Sequence, residues 1–227
     1  MNMKVATSTK DLEGSTGYPM SQLKREAFFP TLIFNRMMSD AEDLNKDLSK
    51  AIYDLREKDN DGLERSNYKG LGGWHSHNNL HKTEAFEEIK QRFLITAKEI
   101  EKLMGYDTRK SLKIHTMWSI INPPGSANKS HIHPGSDWSG VYYVHAPENA
   151  GKISFQDPRA AQLMSMPSYK PNQKRVKEAW TSVQYKPTPG RLLIFPSWLY
   201  HSVAPNMSEL EGNAANRVII SLNLSQR

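Results

Sequence analysis

"HIHPGSDWSGVYYV", from His131 to Val144, places two histidines two residues apart, ahead of a segment that reads as a β-strand. On a strand, residues i and i+2 share a face. His131 and His133 can therefore converge on one point, and a metal ion is the natural occupant of that point. The bland alternative is a loop with two solvated histidines. The strand that follows is one of a series. "KIHTMWSIIN", "SGVYYVHAP", "GKISFQDP", "WTSVQYKP", "GRLLIFPSW", "HSVAP" and "RVIISLNL" are short runs rich in Val, Ile, Tyr, Phe and Trp, set apart by Pro, Gly, Asn and Asp. Repeated short strands with turn signals between them predict a sandwich or barrel over about 111–227.

The chain upstream has a different texture. Residues 1–27 are polar and mixed, and read as an extended or partly disordered arm. "FFPTLIF", Phe28 to Phe34, is a candidate first strand. Ser39 or Asp40 then offers a helix N-cap. Leu44, Leu48, Ile52 and Leu55 follow at helical spacing and predict a helix over about 40–57. The polar, glycine-rich stretch 59–82 reads as a loop. Phe86, Ile89, Phe93, Ala97, Ile100 and Leu103 mark a second amphipathic helix over about 83–104, with Gly105 placed to end it. The expected organisation is one α+β, mainly β domain over 28–227, with two helices packed on the sheet.

Composition limits what such a domain can do. The chain has 227 residues, enough for one substantial core. It has no cysteine, which excludes disulfides, thiolate zinc sites and cysteine nucleophiles. No apolar run approaches a membrane span, and no signal peptide is evident at the N-terminus, so a cytoplasmic protein is expected. The net charge of +6 permits an acidic partner without naming one. The densest basic stretch, Lys170, Lys174, Arg175 and Lys177, reads as a solvated face. It leaves a nucleic-acid surface open, but no recognition motif accompanies it.

The remaining polar residues of the strand region are unevenly placed. The apolar strand "GRLLIFPSWLY" delivers His201 at its exit. Arg217 opens the last strand, where Arg217, Ile219, Ser221 and Asn223 share one face. Burying a guanidinium without an anion is expensive. A carboxylate ligand would supply the partner through a bidentate contact.

A histidine pair, an apolar strand ending in histidine, then an arginine: in this order the chain resembles the iron(II)- and 2-oxoglutarate-dependent oxygenases. "GGWHS", "SHIHPGSDWSGVYYV", "ISFQDPR", "PGRLLIFPSWLYHSVAPN" and "RVIISLNL" together resemble the branch of bacterial and phage oxygenases that carries an H-x-H-P…SGVYY segment. The resemblance implies a double-stranded β-helix, a jelly-roll or cupin-like barrel with iron(II) in its mouth. It implies His131 and His201 as metal ligands, and Arg217, with Ser221, as the clamp on 2-oxoglutarate. It also implies dioxygen as a substrate, oxidation of an unknown substrate, most simply hydroxylation, and conversion of 2-oxoglutarate to succinate and CO2.

The departure is at position 133, where the superfamily pattern has a carboxylate. Three readings stand: His133 is the third metal ligand, Asp137 turns back into the site, or water takes the place. His133 is preferred and Asp137 is second. Two other functions remain open. One is a cupin-like metal enzyme with a three-histidine site that uses no 2-oxoglutarate; the other is a non-catalytic binding module on the same scaffold.

Other residues read more blandly. His75, His77 and His81 are expected to be solvated loop histidines near the mouth. Trp74 either lines a pocket or covers the barrel rim. His115 and His145 read as structural, and Asp157, before a proline, as a turn residue. Trp138 and Trp198 flank the candidate ligands. Tyr142 and Tyr143 point to opposite faces, so only one can face a barrel interior.

Overall fold

The computed structural model describes residues 23–159, 161, 164 and 167–226. The chain divides into two units, Met1–Pro30 and Thr31–Arg227. In the first unit, residues 23–30 are exposed and carry no helix or strand. The arm expected over residues 1–27 lies, up to residue 22, outside the described residues.

Among the described residues of the second unit these strands and α-helices follow in order: β1 (Phe34–Met37), α1 (Ala41–Lys58), α2 (Asp61–Arg65), β2 (Trp74–His75), α3 (Glu87–Met104), β3 (Lys113–Asn122), β4 (Asn128–His131), β5 (Trp138–His145), β6 (Ile153–Gln156), β7 (Ser182–Tyr185), β8 (Arg191–Pro196), β9 (His201–Val203) and β10 (Arg217–Ser225). The strands form two sheets. One has six strands in the order β1-β8-β5-β10-β3-β2, the other four in the order β4-β9-β6-β7. All pairings between strands are antiparallel. This is the double-stranded β-helix.

Alternation along the central strands separates two cores. Val218, Ile220, Leu222 and Leu224 of β10, with Tyr142 and Val144 of β5 and Leu192 and Ile194 of β8, join the helices in one cluster. Ile219, Val141, Tyr143, Leu193 and Phe195, from the opposite faces of the same strands, meet Ile153 and Phe155 of the second sheet. The face of β10 that carries Arg217, Ile219, Ser221 and Asn223 therefore lies between the two sheets.

The helices form as their periodicity predicts. Leu44, Leu48 and Ile52 of α1, and Ile89, Phe93, Ala97 and Ile100 of α3, are buried on the six-stranded sheet. Gly105 closes α3 at φ +68°, a conformation suited to glycine. Asp40 is the N-cap of α1, but its carboxylate does not cap the helix. Arg92 of α3 takes it instead, through two contacts of 2.6 Å, and ties the helices together.

Two expectations need correction. The first strand is Phe34–Met37, not Phe28–Phe34. Phe28 and Phe29 are exposed, and Pro30 has no N–H for a ladder. The stretch 59–82 is also more than a loop. It holds α2, two single 3-10 turns and β2, which pairs with Ile120 and Ile121 of β3.

Trp74 of β2 is fully buried, so it is neither a pocket lining nor a rim cover. Its Nε1 donates to the Asp59 carbonyl at 3.0 Å. It packs so closely over Gly62 that a Cβ there would lie 2.0 Å from the indole nitrogen. Trp74→Ala is expected to cost about 3–5 kcal/mol of stability, the range for truncating a buried large aromatic. Urea unfolding monitored by far-UV circular dichroism measures it.

Candidate metal centre

β4 and β9 pair so that His131 stands opposite His201. β6 lies on the other side of β9 and sets Phe155 against His201. The β4 ladder stops at His131, so the two histidines do not share a regular strand as their spacing suggests. His133 is held instead by its backbone N–H, which donates to the Ser197 carbonyl at 2.9 Å, in the turn that leads to His201. The convergence survives because both sides of the site are tied to this one turn.

The three imidazoles meet. One ring nitrogen from each of His131, His133 and His201 lies within 4.8 Å of the other two. The Nε2 atoms of His133 and His201 are 3.3 Å apart. Nδ1 of His131 is 2.7 Å from the Lys129 carbonyl, and Nδ1 of His201 is 2.9 Å from the Leu199 carbonyl. A carbonyl only accepts, so in both rings the proton sits on Nδ1 and Nε2 presents a lone pair. Among the described residues, this is the one histidine or carboxylate group clustered tightly enough to hold a metal ion.

Burial keeps the His133 and His201 rings neutral. It pushes His201 down to about 3 and His133 down to about 4, and a neighbouring imidazolium would push each further. A ring that stays neutral when folded but protonates near 6.5 when unfolded contributes stability above pH 6.5. That stability is lost as pH falls through the folded values. The metal-free protein is expected to lose several kcal/mol between pH 6.5 and pH 4. Chemical denaturation at stepped pH measures it; a flat profile across that window would contradict the assignment.

Asp137 is committed elsewhere. Its carboxylate accepts the Gln226 backbone N–H at 2.7 Å, and its backbone bonds Leu224 and Ser197. It is not part of the clustered group.

Arg217 is 1% exposed. Its Nη1 donates to the carbonyls of Ala150 and Ala204, while Nη2 is buried without a partner. Desolvation pulls its guanidinium down to about 10. Gly151, at φ +84°, makes this cradle possible, since a Cβ there would lie 2.1 Å from the Ala204 oxygen. On the same inward surface, Tyr143 stands in register with Ile219. It is the inward member of the tyrosine pair; Tyr142 turns to the helices and donates to Asn45 at 2.8 Å. Burial raises the Tyr143 phenol to about 12, and the nearby Arg217 opposes that shift. Ser221 is buried on this face, opposite Trp118 and Val141.

The chemistry of these groups suits an iron ion and a dicarboxylate. Three imidazole nitrogens are acceptable iron ligands, and an orphaned guanidinium nitrogen needs an anion.

The other candidates fall into place around them. His75 stacks on Trp118 at 6.0 Å, and Trp118 stacks on His133 at 5.9 Å. Nε2 of His115 is 2.8 Å from the Ser136 hydroxyl, and Nε2 of His145 is 3.1 Å from the Ala214 carbonyl, so both are structural. Asp157 accepts from Arg159 in a turn. Trp138 lies in the helix-side core and donates to Tyr106, away from the histidines. Trp198 is exposed. Trp118 and Asn223 were not singled out as site residues, although the shared face of Arg217, Ser221 and Asn223 already pointed to the latter.

A family model described as "Putative 2OG-Fe(II) oxygenase" matches residues 116–223. His131, His133, His201, Arg217 and Ser221 all fall inside the match. Over these residues, most of the barrel, the chain is similar to the 2OG-Fe(II) oxygenases. Solved structures share the fold. A Pseudomonas putida prolyl-4-hydroxylase superposes with a TM-score of 0.58 at 14% identity, over 87% of this chain and 94% of its own. The 2-oxoglutarate-dependent carbocyclase SnoK of nogalamycin biosynthesis gives 0.58 at 11% identity, over 86% and 79%. HygX from Streptomyces hygroscopicus, solved with nickel and 2-oxoglutarate, gives 0.53 at 9% identity, over 86% and 82%. A search of curated proteins found no match. Among the described residues, no helix is long and apolar enough to cross a membrane.

Proposed function

We propose that this oxygenase holds iron(II) through His131, His133 and His201, binds 2-oxoglutarate against Arg217, and uses dioxygen to oxidise, most simply hydroxylate, a substrate that remains to be identified. The observation that carries the reading is the convergence of three ring nitrogens, two of them forced by backbone carbonyls to be lone-pair acceptors. Lone pairs facing one another at this range call for a cation between them. The second support is Arg217 Nη2, a buried donor with nothing to bond. A carboxylate of 2-oxoglutarate would satisfy it, with the Tyr143 and Ser221 hydroxyls on the same surface as further donors. This favours a 2-oxoglutarate enzyme over a cupin-like metal enzyme, which has no use for such a cation.

Bound iron and 2-oxoglutarate supply the oxidising chemistry, with succinate and CO2 as the co-products. The chain's own residues do the rest. Burial holds His133 and His201 neutral, and His131 and His201 offer Nε2. Arg217 anchors and orients the co-substrate. Val141, Tyr143, Ile153, Phe155, Leu193 and Phe195 keep water from the barrel interior. The neighbouring structures are named for a hydroxylase and a carbocyclase, so shared fold does not select a substrate.

The test is anaerobic. Iron(II) is added to the protein and 2-oxoglutarate is titrated in while the visible charge-transfer band is followed. A saturable band is expected. A folded protein that shows no band at millimolar 2-oxoglutarate would overturn the reading.

A further inference from the structure

Arg217 shares its end of the barrel with a second buried donor that lacks a partner. β10 pairs with β3 so that Arg217 stands directly opposite Asn122. Alternation puts Asn122 on the inward face of β3 with Ile120, while Met117 and Ile121 turn to the helix-side core. Asn122 is 3% exposed. Among the described residues nothing accepts a hydrogen bond from its Nδ2, and the same holds for Arg217 Nη2. Two orphaned donors therefore sit on paired residues of neighbouring strands, on one face.

The amide of Asn122 is not what holds the end of β3. That is done by its main chain. The Asn122 carbonyl accepts from Asn206 Nδ2 at 3.0 Å, and the same nitrogen donates to the Ala215 carbonyl at 2.8 Å. Asn206 is fully buried, and its own backbone accepts from the Gly125 N–H and donates to the Ser126 carbonyl. A buried asparagine ordinarily has partners for its amide, because an unpaired buried N–H is costly. Nor do the nearby carbonyls serve: those of Ala150 and Ala204 accept from Arg217 Nη1. The missing acceptor must reach both strands. A carboxylate has two oxygens and about four lone-pair sites, enough for both donors.

We propose that Asn122 binds the co-substrate: its Nδ2 and Arg217 Nη2 together hold one carboxylate, the one at the far end of 2-oxoglutarate from the keto acid. This rests on the 2-oxoglutarate reading above. The two donors divide the task. The guanidinium attracts an anion through its charge, and the amide, fixed on the next strand, sets where the oxygens lie. Asn122 thereby favours a 2-oxo diacid over a 2-oxo monoacid.

Two measurements test it. The first is anaerobic titration of the iron(II)-loaded protein, followed by the charge-transfer band, with two ligands. 2-Oxovalerate has the keto-acid head of 2-oxoglutarate and a methyl group in place of the far carboxylate. Asn122→Leu removes the donor at similar size. It is expected to bind 2-oxoglutarate about 10- to 100-fold more weakly, the effect of one hydrogen bond to a charged group, and 2-oxovalerate as the parent does. Asn122→Asp sets carboxylate against carboxylate and should weaken 2-oxoglutarate at least as much. The ligand-free melting temperature of Asn122→Leu should equal the parent's or exceed it, since an unpaired buried donor gives way to an apolar group. An asparagine that only held the strand would lose stability and weaken both ligands alike. The second measurement reads the contact itself, in the zinc(II)-loaded protein. The side-chain amide resonances of Asn122, identified by their absence from the variants, are expected to move downfield with 2-oxoglutarate and to stay in place with 2-oxovalerate.

Unchanged 2-oxoglutarate affinity in a folded Asn122→Leu, or in Asn122→Asp, overturns the proposal and leaves the Arg217 clamp standing. So does an equal loss of 2-oxovalerate, or an amide that ignores bound 2-oxoglutarate. If Asn122→Leu does not fold, Asn122→Asp and the amide shift of the parent decide. If the parent itself shows no band with 2-oxoglutarate, the co-substrate reading fails and this proposal falls with it; a band in the parent separates the two failures.

Discussion

Arg217→Met is expected to abolish 2-oxoglutarate binding while leaving the ligand-free protein about as stable as the parent. The two halves follow from one observation. The Arg217 side chain is fully buried, with two carbonyls on Nη1 and nothing on Nη2. Removing a guanidinium from a buried, charge-assisted contact costs about 2–5 kcal/mol of binding, roughly 30- to 4000-fold in Kd. Yet replacing a buried, incompletely compensated charge by an apolar side chain of similar length is commonly neutral or stabilising. Loss of the two carbonyl contacts works against that gain, at about 1 kcal/mol each. The ligand-free melting temperature should therefore move little. In the parent, saturating 2-oxoglutarate should raise it through ligand linkage, and in Arg217→Met that rise should vanish. Arg217→Lys should recover little, because an ammonium lacks the planar fork. Differential scanning fluorimetry with and without 2-oxoglutarate, in the presence of cobalt(II), reads all three. A large destabilisation of ligand-free Arg217→Met would mean that the arginine is a structural post instead of a waiting clamp.

What the sequence made legible depended on whether the signal was local. The helices were legible because Leu44, Leu48 and Ile52, or Ile89, Phe93 and Ala97, report a face within one segment. The inward face of the terminal strand was legible for the same reason: period-two alternation alone puts Arg217, Ile219, Ser221 and Asn223 together. Where structure depends on a distant partner, local reading failed. "FFPTLIF" is apolar, yet the strand forms three to six residues later, at "FNRM", because β8 offers its edge there and Pro30 has no donor to give. Trp74 and His75 become a strand only because β3 runs beside them. Asn223 shows the limit within the site itself. Its face was evident, but its hydrogen bonds to Thr116 and Ser139 depend on the register of β10 against β3 and β5. Asp157 stayed a turn residue because its partner, Arg159, is local.

His133→Ala is expected to cost at least about 100-fold in iron(II) or cobalt(II) affinity, and Asp137→Ala almost nothing. The alternatives for the third ligand differ in where the chain could supply an oxygen. Asp137 is the nearest carboxylate in sequence, but its side chain accepts the Gln226 N–H and its backbone bonds both Leu224 and Ser197. Bringing it to the metal would break these bonds and leave the end of β10 untied. His133 is already in place, 3.3 Å from His201 through Nε2 and tied to Ser197 through its backbone. Deleting it removes one of the three proposed protein ligands, a larger loss than the tenfold to hundredfold of an outer partner. Asp137→Ala should show up only as a modest loss of stability, since an exposed carboxylate–amide contact is worth about 1–3 kcal/mol. His133→Asp separates the chemistry further. Aspartate is shorter than histidine, so its carboxylate falls short of the place that Nε2 of His133 takes beside His201. Restoring the superfamily's own residue at position 133 should therefore bind cobalt(II) more weakly than the parent. A single His133→Asp variant that binds metal more tightly than the parent would show that the surroundings are indifferent to which ligand stands there.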